Sequence, residues 1–238
     1  MNKNKIGVVF PGSFLGFYAH GGFYKALVES GVKGDCFAGV SAGALLANVG
    51  AEGYPIKKFE DTISGIRSFD IFNLNNNPLR GIFNFQKIKT ILDKEFDKKK
   101  KKNIIIISTS KDGKKVFTEK DSASRGICAS MSVRGLFEKF EGEYSDGVYS
   151  DNFGISELVD REPSLEVLFI HNIKGGLLAG DEKEYKSQLD YALEKGLRIV
   201  EIVTPFRFVN PFTLNGGMNV FSNTYEVSRE QLKEAELL

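Results

Sequence analysis

The chain of 238 residues is 42% hydrophobic and 26% charged, and its formal net charge of +1 points to no nucleic acid or other highly charged partner. No apolar run reaches the roughly 18 residues needed to cross a bilayer, and no signal-peptide core with a small-residue cleavage site opens the sequence. Two cysteines (Cys36 and Cys128) and two histidines (His20 and His171) supply neither a disulfide framework nor a zinc site, so the expectation is a cytoplasmic protein with no metal and no cofactor.

In chain order, Ile6–Phe10 reads as a buried strand, followed by a glycine-rich turn through Gly16 and a helix over 22–30. Cys36–Val40 is a second strand and 42–50 an alanine-rich helix. Residues 56–66 and 85–96 carry apolar side chains at helical spacing. The isoleucine run 104–107 is a buried strand with 115–118 as its hairpin partner, and 122–137 reads as mostly helix. A strand over 165–170, a helix over 182–195, a strand over 198–203 and a polar helix over 226–238 complete the chain. Strands alternating with helices predict an α/β fold whose mainly parallel sheet is covered on both faces. No repeat or linker interrupts the pattern, so one domain over 1–238 is expected.

Two segments stand apart. Residues 98–102 are five consecutive lysines, read as a solvated turn, with contact to a membrane surface as the alternative. Residues 72–85 combine Asn, Pro and Gly with several large apolar side chains, a composition that suits packing on the core or a lid over a pocket.

Gly39-Val40-Ser41-Ala42-Gly43 is a Gly-x-Ser-x-Gly motif. A chain of this composition expects about 0.2 such matches by chance, so context must carry the reading. Here the motif leaves an apolar strand and opens a helix, the setting in which a sharp turn pushes a serine hydroxyl out of the sheet. The helix start then offers free N–H groups and positive dipole to a developing oxyanion. Pro11-Gly12-Ser13-Phe14-Leu15-Gly16 lacks two glycines of a dinucleotide fingerprint and the Gly-Lys-Ser/Thr of a Walker loop, which leaves an oxyanion-hole loop as its functional reading.

Four blocks in order resemble the patatin-like phospholipases over roughly residues 6–155. They are Gly12–Gly16 with Phe14-Leu15-Gly16; Gly39–Gly43 followed by Ala44-Leu45; Ala129-Ser130-Met131-Ser132-Val133-Arg134-Gly135-Leu136-Phe137; and Asp146-Gly147-Val148-Tyr149-Ser150-Asp151-Asn152. The resemblance implies a three-layer α/β/α patatin-like fold and a lipid acyl hydrolase of the phospholipase A or esterase type. It assigns Ser41 as nucleophile, Asp146 as general base, and Gly12, Ser13 and Gly16 to the oxyanion loop, with Gly39, Gly43 and Gly147 as motif glycines. Phospholipid or another lipid ester would be the substrate, met by a peripheral contact at a membrane surface. The chain departs from the family pattern at Pro11 and Ser13, where glycines are usual, at Leu15 in place of a basic residue, at Arg134 in place of proline, and at Val148. A Ser–Asp pair is also chemically sufficient by itself, because a serine hydroxyl needs a neighbour to take its proton and burial raises a carboxylate's basicity. Asp151 and Asn152 read as structural turn residues.

Two rivals stay open on sequence. One is a Ser-Asp-His triad with His171, at the end of an apolar strand, as base. The other is a non-catalytic lipid-binding protein on the same fold, and transfer of the acyl group to an acceptor other than water is a further option.

Overall fold

Five apolar stretches form a parallel sheet because each is flanked by helices that cover it. The computed structural model describes residues 4–96, 102–176 and 180–235. Its strands are β1 (Ile6–Phe10), β2 (Cys36–Val40), β3 (Asn73–Leu74), β4 (Phe83–Asn84), β5 (Asn103–Ser110), β6 (Gly113–Thr118), β7 (Ser145–Asp146), β8 (Val167–Lys174) and β9 (Arg198–Pro205). Its α-helices are α1 (Phe17–Glu29), α2 (Ala42–Ala51), α3 (Ile56–Ser64), α4 (Ser68–Ile71), α5 (Gln86–Glu95), α6 (Ala123–Ser130), α7 (Ile155–Arg161), α8 (Glu182–Glu194) and α9 (Gly217–Glu234). The main sheet runs β6-β5-β2-β1-β8-β9, with β7 as a short pairing on β5. Strands β5, β2, β1, β8 and β9 are parallel, and β6 and β7 pair antiparallel with β5.

Alternate residues of each strand serve opposite faces. Val8, Phe10, Phe37, Ile104, Ile106 and Phe169 join the core under α1, α2, α6 and α9. Val9, Cys36, Ala38, Ile105, Leu168 and Ile170 meet α7 and α8 on the other face. The result is a three-layer α/β/α fold with a mainly parallel central sheet. Both cysteines are buried free thiols, and burial pushes each up to about 12.

The differences from the sequence reading have local causes. Helix α1 starts at Phe17, five residues before the expected start, because Gly21 and Gly22 belong to it despite their low helix propensity. A Cβ on Gly22 would sit 2.2 Å from the Phe221 carbonyl oxygen, so the glycine lets α9 cross α1 closely. Helix α9 begins at Gly217, well before 226, because Val220, Phe221, Thr224, Ser228 and Leu232 form one buried stripe. Interleaved Asn, Ser and Thr conceal that stripe in the sequence. The helix expected over 122–137 stops at Ser130; beyond it Gly135 adopts φ +84°, which no helix accommodates.

The lysine run lies outside the described residues except for Lys102, which precedes β5. Its Nζ donates to the Gly34 carbonyl at 2.5 Å and lies 5.9 Å from the Phe37 ring centroid. Among the described residues no helix is long and apolar enough to cross a membrane.

Candidate active site

Ser41 sits between the end of β2 and the start of α2, at the carboxyl edge of the parallel strands. Its backbone adopts φ 53°, ψ −125°, a strained conformation for a residue with a side chain. The surrounding structure holds it there. The Ser41 N–H donates to Ser130 Oγ at 2.8 Å, and the Ser130 hydroxyl donates to the Ile107 carbonyl at 2.5 Å, which ties the turn to β5. The motif glycines make room. A Cβ on Gly43 would lie 2.0 Å from the Phe10 carbonyl oxygen, and one on Gly39 would lie 2.5 Å from the Gly43 carbonyl oxygen.

Asp146 arrives from the other side. Strand β7 pairs with β5, and the Asp146 N–H donates to the Ser132 carbonyl at 2.9 Å while Thr109 Oγ1 donates to the Asp146 carbonyl at 2.8 Å. Gly147 permits the approach, since a Cβ there would lie 2.2 Å from the Ile107 carbonyl oxygen. The fold thereby joins two residues 105 positions apart: Ser41 Oγ donates to Asp146 Oδ2 at 2.7 Å. The other carboxylate oxygen accepts the Val148 N–H at 3.1 Å. Asp146 is fully buried, and desolvation raises its pKa from 3.8 to about 7; the bonds from Ser41 and Val148 pull the other way but offset only part of it. A carboxylate so poised can accept a hydroxyl proton near neutral pH.

Phe14, Leu15, Phe17, Phe72, Phe83 and Met131 are among the residues that surround Ser41 and Ala42 in a small apolar cavity of about 30 Å³. A second apolar cavity of about 90 Å³, under α3 and α5, adjoins it, and Phe17, Phe72 and Met131 line both. The segment 72–85 thus supplies Phe72 and Phe83 to the cavity wall while Leu74 and Leu79 remain exposed. A larger polar cavity of about 420 Å³ lies on the other side of the Gly12–Gly16 loop, lined by Ser13, Asn172, Lys174, Tyr185 and Glu201 among others; Ser41 does not reach it.

Within that loop the Gly12 N–H donates to the Asn152 carbonyl at 2.8 Å and the Gly16 N–H to the Ser13 carbonyl at 3.2 Å. Leu15 takes φ 52°. Two of the three loop residues singled out from sequence therefore use their N–H groups to shape the loop. The residues that reach the cavity beside Ser41 are Phe14 and Leu15. Sequence reasoning also gave no role to Ser130, Thr109 or Met131; the third resembling block contains Ser130 and Met131, and nothing in the sequence marks Thr109.

His20 and His171 form a separate, fully buried relay. His20 Nε2 meets the Pro11 carbonyl at 2.9 Å, the two Nδ1 atoms meet at 2.8 Å, and His171 Nε2 meets Thr204 Oγ1 at 2.9 Å. A carbonyl only accepts, so His20 Nε2 carries the hydrogen, His171 Nδ1 donates to His20 Nδ1, and the Thr204 hydroxyl donates to His171 Nε2. This arrangement satisfies every ring nitrogen with both rings neutral, the form that their complete burial favours. Neither histidine bonds to Ser41 or Asp146. Asp151, read as structural, accepts the Phe153 and Gly154 N–H groups and the Gln188 side-chain amide.

Burial lowers the His20 pKa from 6.5 to about 3 and holds His171 well below the ordinary range. The unfolded chain therefore binds more protons than the folded one below pH 6.5, and stability is lost as pH falls from there. His20 alone costs about 2 kcal/mol at pH 5 by this linkage, and His171 acts in the same direction. Asp146 opposes them, because its raised pKa lets the folded state gain a proton as pH falls through about 7. Denaturant unfolding at pH 7 and pH 5 should show a modest acid loss that steepens in Asp146→Asn. Equal stability of Asp146→Asn at both pH values would contradict the neutral relay.

Among the described residues no cluster of His, Cys, Asp or Glu is arranged to hold a metal ion. The sequence profile of the patatin-like phospholipases matches residues 8–159, more than half of the chain. The chain belongs to the patatin-like phospholipase family. That family indicates a lipid hydrolase, and Ser41, Ala129–Phe137 and Asp146 all fall inside the matched span. Among solved structures, the patatin-like chain resembles VipD from Legionella pneumophila with a TM-score of 0.58 and 14% identity, over 98% of this chain and 67% of that one. It also matches the type III effector protein ExoU at a TM-score of 0.46 and 14% identity, over 99% of this chain and 54% of that one. The chain thus spans about two thirds of the first and about half of the second, and the likeness to VipD supports the fold. No curated protein matches the sequence.

Proposed function

We propose that this patatin-like chain hydrolyses carboxylic esters of lipids through an acyl-enzyme on Ser41, with Asp146 as general base. The observation that carries the reading is the 2.7 Å bond from Ser41 Oγ to a buried carboxylate beside an apolar cavity. Ser41 Oγ attacks the ester carbonyl as its proton passes to Asp146 Oδ2. The oxyanion is met by the Ala42 N–H, which has no intrahelical acceptor at the start of α2, and by N–H groups of Phe14 and Leu15. Collapse of the intermediate returns the proton from Asp146 to the leaving alkoxide. Water then attacks the acyl-enzyme as it gives a proton to Asp146, and collapse releases the fatty acid while Asp146 returns that proton to Ser41 Oγ.

The acyl chain would lie in the apolar cavity and pass Phe17, Phe72 and Met131 into the second one. Burial of a methylene is worth about 0.8 kcal/mol, so kcat/KM should rise about fourfold per added carbon until the space is filled. A panel of phospholipids and simple esters of increasing acyl length, followed by mass spectrometry of the products, tests this. Free fatty acid is expected, and Met131→Trp, which narrows the passage, should move the optimum toward shorter acyl groups. Absence of released acid from every ester would remove the hydrolase reading. An optimum unmoved by Met131→Trp would remove the acyl path.

A further inference from the structure

Nine large hydrophobic side chains are exposed among the described residues, and six of them come from two short segments, Phe69, Leu74, Leu79 and Ile82 from one and Phe208 and Phe212 from the other. Leu79, at the tip of the β3–β4 hairpin, is 97% exposed. A scatter of single apolar residues is normal on a protein surface, whereas a concentration of this kind marks a contact.

The two segments are joined around the cavity that holds Ser41. Ser68 Oγ donates to the Pro211 carbonyl at 2.7 Å, and the Phe212 and Phe83 ring centroids are 6.3 Å apart. Phe83 N donates to the Leu136 carbonyl at 2.9 Å, and Ile82 N to the Gly135 carbonyl at 3.3 Å. Phe72, Phe83, Leu136 and Pro211 themselves line that cavity. The exposed apolar residues are therefore the rim of the space whose wall contains Ser41.

Charge around this rim is mostly positive, with Arg134 on the adjoining 133–137 turn and the half-buried Glu138, which accepts from Asn75 at 3.1 Å, beside it. Arg67, Arg80, Lys87 and Arg207 are also exposed there, against Asp70. The cationic attraction thus comes from the rim. Lys102, the described member of the lysine run, instead lies at the amino end of β5, the opposite edge of the sheet from Ser41, and is tied to Gly34.

We infer that this rim is a docking surface for an anionic lipid bilayer, with Leu79 and Phe208 entering the acyl region and Arg80 and Arg207 resting on headgroups. The inference rests on the lipid-hydrolase reading for the purpose of docking, and on geometry and charge for its location. Apolar insertion combined with basic attraction is the combination by which peripheral proteins hold a bilayer.

The chain contains no tryptophan, so a single introduced one is a clean reporter. Leu79→Trp and, as control, Leu193→Trp on α8 are made in the full-length Ser41→Ala protein, so that binding is read without turnover. On phosphatidylcholine vesicles containing roughly one third phosphatidylserine, Leu79→Trp should shift its emission to the blue and be quenched by brominated acyl chains, and Leu193→Trp should not. Arg80→Glu with Arg207→Glu should lower partitioning to anionic vesicles by on the order of tenfold or more, and added salt should mimic that loss. An unresponsive Leu79→Trp, or an equal response at Leu193→Trp, overturns the inference. So does a dimer in solution that Leu79→Glu converts to monomer, because the patch would then be covered by a second copy. Turnover of a monomeric short-chain ester by the Arg80→Glu, Arg207→Glu protein with Ser41 intact keeps the two readings apart. Its loss in the unsubstituted protein would count against the hydrolase alone, and vesicle binding would still decide the docking surface.

Discussion

Ser41→Ala should lower ester turnover by on the order of 10⁵-fold or more and abolish labelling by a fluorophosphonate, while the folded state persists. The size follows from the absence of a substitute, since among the described residues no other hydroxyl bonds to the buried carboxylate. The fold should survive because alanine occupies φ 53° at no greater cost than serine, and the bond from the Ser41 main-chain N–H to Ser130 Oγ is retained. Asp146 loses one stabilising hydrogen bond and is then held neutral over a wider pH range by the same burial that already raises its pKa. Circular dichroism and the thermal midpoint check folding; peptide mapping of the labelled native protein locates the adduct. Labelling at another residue, together with full activity in Ser41→Ala, would dismiss Ser41 as the nucleophile.

Much of this site could be read in the sequence because its chemistry is written in short, contiguous blocks. Ser41 lies between an apolar pentapeptide and an alanine-rich run, and both halves of that context formed as expected, as β2 and α2. The glycines on either side are demanded by contacts of 2.0 and 2.5 Å that any Cβ would make, which is a local requirement and so leaves a local trace. The parallel sheet was equally legible, since strands covered on both faces must be apolar throughout, as the 104–107 isoleucines are.

What stayed hidden depends on residues far apart in the chain. The wall shared by the two cavities is built by Phe17 of α1, Phe72 before β3 and Met131 after α6, which only the fold brings together. The His20–His171 pair joins α1 to β8 across 151 positions, and each histidine alone looks like an isolated polar residue. His171 was read as the tip of a strand over 165–170, but β8 runs on to Lys174, so the ring lies within the strand, stacked with Phe23 at 4.8 Å and bonded to His20. The Gly12–Gly16 turn borders the cavity beside Ser41, but which of its N–H groups are free could not be read, because that depends on the bond from Gly12 to the Asn152 carbonyl, contributed by the fourth block.

Asp146→Asn should reduce turnover by roughly 10²–10⁴-fold, the range of a lost general base. Asparagine fits the same space and keeps a carbonyl oxygen for the Val148 N–H, yet the atom facing Ser41 Oγ either becomes a donor or has almost no basicity. The native enzyme carries a further signature. Since desolvation sets the Asp146 pKa at about 7, kcat/KM should fall tenfold for each pH unit below that value, as protonated Asp146 cannot accept the Ser41 proton. In Asp146→Asn that acid limb should disappear and leave a flat residual rate. The histidines predict the reverse: both are neutral and fully engaged with Pro11, Thr204 and each other, so His20→Gln and His171→Gln should cost stability but hold turnover within about tenfold with the acid limb intact. Initial rates on a soluble ester from pH 5.5 to pH 9, with folding checked at each end, separate the two. A folded but inactive His171→Gln beside an active Asp146→Asn would move the base to the histidine and require the relay to rearrange around substrate.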